Sequence, residues 1–110
     1  MILTRYTING KGIFQALQLL FNEVDMSVAD EQELFDAEEV FERDMEVPDV
    51  CTTQKTTSWF TENGVKEFKD ALDTILYYAD IYLEEKIKVE KRELEEQPLY
   101  QDYYQVVLAA

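Results

Sequence analysis

The sequence predicts an α+β fold: a small, mostly antiparallel sheet of about three strands carrying two to three helices, in the order β-α-α-α-β-β. Three observations predict it. Residues 2–8 (ILTRYTI) and 99–108 (LYQDYYQVVL) are rich in β-branched and aromatic side chains, the composition of strands. Residues 13–24 and 61–85 place their apolar groups at helical spacing. Between these stretches lies a strongly acidic segment with only a thin apolar stripe.

In the first strand Ile2, Tyr6 and Ile8 share one face of an alternation that Thr4 weakens. Asn9-Gly10-Lys11-Gly12 supplies turn residues. Gly10 and Gly12 lack the third glycine and the Gly-Lys-Ser/Thr ending of a phosphate loop, so they read as a strand-to-helix turn. Ile13, Leu17, Leu20, Phe21 and Val24 then form the stripe of a helix over 13–24. Ser27 is placed to cap a second helix over about 28–43, with Leu34, Ala37 and Phe41 as its buried stripe, and Pro48 closes the region. Residues 50–60 (VCTTQKTTSWF) fit either an edge strand or an irregular connection.

The stretch 61–85 is the predicted central helix. Val65, Phe68, Leu72, Ile75, Leu76, Ala79, Tyr82 and Leu83 form one continuous stripe. Thr61 caps it, and Phe60 and Val65 stand at the positions of a hydrophobic staple. Tyr77 and Ile81 share the opposite face and must meet either another element or a partner. Residues 86–94 read as an exposed strand, Glu95 to Pro98 as a turn, and 99–108 as the last strand, close enough to the previous one for a hairpin. That last strand has large groups on both faces, so it is either central in the sheet or pairs across an oligomer edge.

The 110 residues make a single domain, and hydrophobic content of 46% argues for folding despite a net charge of −14. So negative a chain repels nucleic acid and anionic membranes and favours basic partners. There is no histidine, which excludes a Ser/His/Asp triad, a Cys/His pair and imidazole metal ligands. Cys51, the one cysteine, fits a reducing, cytoplasmic setting. The start, MILTRYTING, has no signal-peptide pattern, and no apolar run approaches the length of a membrane span. Residues 23–49 hold twelve acids against one base, Arg43, yet contain no glycine, so they form no EF-hand loop. No metal, cofactor or enzymatic activity is expected.

Seven acids lie between Asp30 and Glu42. As a helix they span roughly 20 Å, one charge per roughly 3 Å, against about 1.7 Å of axis per charge in duplex DNA. In size, acidity and lack of catalytic residue types, with the block DEQELFDAEEVFERDMEV at 30–47, the chain resembles the small DNA-mimic inhibitors carried by phages and mobile elements, the anti-CRISPR and antirestriction proteins. The resemblance implies an inhibitor that blocks a basic nucleic-acid-binding site on a partner protein, a nuclease among the candidates. Its expected contact residues are Asp30, Glu31, Glu33, Asp36, Glu38, Glu39, Glu42, Asp44 and Glu46, with Tyr77 and Ile81 as apolar anchors. The alternatives are a solvated acidic face, a module that self-associates as a homodimer through the tyrosine-rich strand, and a carboxylate-dependent enzyme.

Overall fold

The computed structural model of the chain describes residues 1–84 and 87–110. The expected end of the central helix at Glu85 and the expected start of a strand at Lys86 fall outside the described residues. The architecture is α+β, but richer than predicted. The described residues form five helices and one antiparallel sheet of six strands, where the sequence predicts about three.

β1 (Ile2–Ile8) turns at Asn9 and Gly10, both at positive φ, 52° and 76°, into β2 (Lys11–Gly12). This is the two-residue hairpin that Asn-Gly favours, because both residues tolerate the left-handed region. α1 (Ile13–Glu23) follows directly and buries Ile13, Ala16, Leu17 and Leu20. α2 (Val28–Asp44) starts where predicted: the Ser27 hydroxyl accepts from the Asp30 amide at 3.2 Å. It buries Leu34, Ala37 and Phe41. The undecided stretch 50–60 resolves into a helical turn, α3 (Val50–Thr53), and a strand, β3 (Thr56–Phe60).

The central helix is two helices. α4 (Glu62–Glu67) and α5 (Lys69–Leu83) meet at Phe68, whose φ of −100° and ψ of 16° break the regular turn. Its ring is fully buried, 4.8 Å from Phe41 and edge-on to Tyr104 at 5.1 Å. α4 lies against β1 and β3, while α5 packs against α1 and α2. Periodicity could not report the bend, because the apolar stripe runs through it unbroken.

β4 (Ile87–Glu93) does not form the expected hairpin with the last strand. It pairs with β1 along its whole length, from Ile2↔Glu93 to Ile8↔Ile87. The tyrosine-rich run is itself a hairpin, β5 (Tyr100–Gln101) and β6 (Gln105–Ala109). Asp102 makes its turn: one carboxylate oxygen accepts from the Tyr104 and Gln105 amides at 2.8 and 2.9 Å, and the other from the Tyr100 hydroxyl at 2.8 Å. β6 lies inside the sheet between β3 and β5, so the central-strand alternative holds for its valines.

Antiparallel partners share a face. Tyr6, Ile8 and Phe60 face the helices and join the main core with Leu17, Leu34, Phe41, Phe68, Leu72 and Ile75. The opposite face carries a second small core, Leu3, Trp59, Val106 and Leu108, with Leu94 against it and the Arg92 guanidinium 5.7 Å from the Trp59 ring. Among the described residues no helix is long and apolar enough to cross a membrane.

Candidate functional site

α2 carries most of the predicted contact residues, and the structure sends them in three directions. Two turn inward to α5. The Tyr78 hydroxyl donates to Glu33 at 2.5 Å, and the Tyr82 hydroxyl donates to Asp30. These hydrogen bonds, with burial second, raise both phenols above their ordinary value of 10.0, because each must hold its proton to satisfy a carboxylate. Asp36 and Glu39 point away from the core and are exposed; Asp36 accepts from Gln32 at 3.0 Å. Glu31 is half-buried. Asp44 pairs with its neighbour Arg43 through two bonds, 3.0 and 3.1 Å, which hold its carboxyl below the usual range. The expected single ridge is therefore divided, because a helix with apolar groups on a thin stripe must distribute its acids over all remaining sides.

The third direction is the one with shape. Glu38 and Glu42, one turn apart on α2, and Glu46, just beyond the helix end, line one side of a groove of about 440 Å³. α1 supplies the other wall with Phe14, Leu17 and Gln18. The floor is Phe41, Met45, Pro48 and Cys51, and β3 closes the end with Thr56 and Ser58. The volume falls within the range of about 300–1,000 Å³ typical of ligand pockets, and such pockets are mostly apolar, as this one is. Among the described residues no lysine or arginine lines it. Partial burial, then the Glu42 charge, raises the Glu38 carboxyl, which accepts from Gln18 at 3.3 Å.

Local folding explains the groove. α2 ends at Asp44, and Met45 folds its amide back on the Phe41 carbonyl at 2.9 Å. The chain then leaves the helix axis, and the buried Gln105 side chain ties it to the sheet by donating to the Glu46 carbonyl at 2.6 Å. β1 and β3 pair only at Thr4↔Phe60, because β2 and α1 occupy the space beside the rest of β1. That divergence opens the cleft between α1 and β3. Phe14, Met45, Thr56 and Ser58 also line a smaller cavity of about 210 Å³ that runs on towards Arg5 and Trp59.

Tyr77 and Ile81 do not join this site. They lie on the outer side of α5, 62% and 46% exposed, with Tyr77 edge-on to Tyr78. Of the predicted residues, the groove gathers Glu38, Glu42 and Glu46. Phe14, Met45, Val47, Pro48 and Cys51 were not anticipated. Phe14 and Val47 carried a usable signal: each is a large apolar side chain outside any stripe, and both remain exposed, at 39% and 78%.

The arrangement offers an apolar slot in a field of negative potential. A cation about 4 Å from one of these carboxylates gains roughly 1 kcal/mol in water and about 4 kcal/mol at the dielectric of a protein surface. Among the described residues no three carboxylates or thiols converge as metal ligands. Comparison of the chain with protein-family models, with curated proteins and with solved structures finds no match to any of them.

Proposed function

We propose that the protein is a non-enzymatic interaction module, an inhibitor whose α2 surface occupies a basic, nucleic-acid-binding site on a partner protein such as a nuclease. One observation carries this reading. Five of the seven acids between Asp30 and Glu42 are not hydrogen-bonded to the α5 tyrosines and are spread over the other sides of α2, and the only base on α2, Arg43, is engaged by Asp44. The five cover roughly 17 Å of helix, one charge per roughly 3–4 Å, about half the axial charge density of duplex DNA. Such a surface steers and orders a basic partner. The proposed compartment is the cytoplasm, which rests on the free Cys51.

Self-association through 99–108 has less support: β6 is flanked by β3 and β5, and the edge strand β5 is only two residues long. The test of the main reading is the triple variant Glu38→Gln, Glu39→Gln, Glu42→Gln. Circular dichroism should be unchanged. An exposed ion pair contributes about 0.2–1 kcal/mol, so partner affinity should fall by up to about 3 kcal/mol, roughly a hundredfold, and wild-type affinity should fall as salt rises. Salt-insensitive capture of the partner would refute the mimicry.

A further inference from the structure

Resting on that reading, we infer that the groove between α1 and the C-terminal half of α2 is a specificity pocket that seats a short apolar-and-basic segment of the partner, one large apolar side chain flanked by arginine or lysine. The outward acids alone would bind any cationic surface. The groove adds shape to charge. Phe41, Met45, Pro48 and Cys51 form its floor and Leu17 part of the α1 wall, and the lining residues Phe14 and Val47 remain exposed.

Charge complementarity selects the occupant. Glu38, Glu42 and Glu46 line one side, its lip, and among the described residues no basic side chain lines the groove. An apolar anchor entering the slot brings its flanking residues to that lip, where a cation is attracted by several carboxylates and an anion is repelled by them. Partial burial first, and then the neighbouring Glu42 charge, raise the Glu38 carboxyl. A guanidinium suits the lip better than an ammonium, because its planar fork can bridge two carboxylates. The buried Gln105, bonded to the Glu46 carbonyl, fixes the lip before the segment arrives.

The experiment titrates ¹⁵N-labelled full chain with three acetylated, amidated peptides: Arg-Leu-Phe-Arg, Glu-Leu-Phe-Glu and Arg-Ser-Ser-Arg. Saturable shifts at the Val47, Cys51 and Ser58 amides are expected with the first only. Its Kd should rise at least about tenfold in Glu38→Gln, Glu42→Gln. The same rise is expected in Val47→Ser, an exposed position whose change leaves the fold intact. Equal binding of Glu-Leu-Phe-Glu would show an apolar slot without charge preference and overturn the inference. So would shifts confined to Asp36 and Glu39, or groove shifts that follow protein concentration alone and mark a second copy as occupant. The two readings fail separately. Partner capture lost in Asp36→Asn, Glu39→Gln but untouched by Val47→Ser removes the pocket and keeps the acidic surface. Groove binding together with salt-insensitive capture removes the mimicry.

Discussion

Replacing Gly64 by alanine tests how the helices are seated on the sheet. A Cβ built at this position lies 2.1 Å from the Tyr104 carbonyl oxygen, 3.0 Å from its carbon and 3.3 Å from Phe60 Cδ1. The obstacle is backbone and cannot rotate away. It is also tethered: the Tyr104 carbonyl accepts from the Thr61 amide at 3.0 Å, and the Thr61 hydroxyl donates to the Tyr103 carbonyl at 2.7 Å while accepting from the Gly64 amide at 3.0 Å. Relief needs a shift of about 1 Å between α4 and the β5–β6 turn. Overpacking of this kind costs about 1–3 kcal/mol, and weakening a backbone hydrogen bond adds about 1 kcal/mol. Alanine returns at most about 1 kcal/mol of helix propensity, and less in a first turn. The net expectation is a loss of about 1–3 kcal/mol, read as a lower urea midpoint at unchanged slope. The neighbouring exposed position supplies the control, since Asn63→Ala should be nearly neutral. A Gly64→Ala protein as stable as wild type would show that the approach of α4 to Tyr104 is not tight, and the seating argument would fail.

Two further outcomes follow from the packing. Tyr78→Phe with Tyr82→Phe removes both hydroxyl contacts between α5 and α2. Because the folded state holds these phenolic protons to higher pH than the unfolded chain, wild-type stability should be level below pH 10 and fall as pH rises above it. Urea midpoints between pH 8 and 12 should show that fall flattened in the double variant, and an unchanged slope would contradict the assignment. Leu3→Ala should cost about 2–5 kcal/mol, because Leu3 is fully buried in the small core on the sheet face away from the helices. A loss below 1 kcal/mol would mean that this second core contributes little.

What the sequence made legible followed local rules. The Ser27 and Thr61 caps, the Leu34–Ala37–Phe41 stripe and the β1 strand depend on neighbours a few residues away. The misses were long-range. Nothing near Ile87 announces that its strand partner is β1, and nothing near Phe68 signals the break between α4 and α5 or the distant rings, Phe41 and Tyr104, that pack against it. The acids were countable, but their directions were not. Whether Glu33 faces water or a phenol depends on Tyr78, far along the chain. The groove was legible only as leftovers, Phe14 and Val47, side chains that no stripe claimed.

The pairing of β1 with β4 also governs the order in which the chain matures. Ile2 must wait for Glu93, and Ile8 for Ile87, before the opening strand has a neighbour along its full length. Before that, β1 can pair only through its short turn-back onto Lys11–Gly12 and at the single position Thr4↔Phe60. Closure over so long a loop is entropically slow. The β1–β4 ladder therefore ties the first strand to a segment roughly eighty to ninety residues further on, which places it among the contacts most expensive to close.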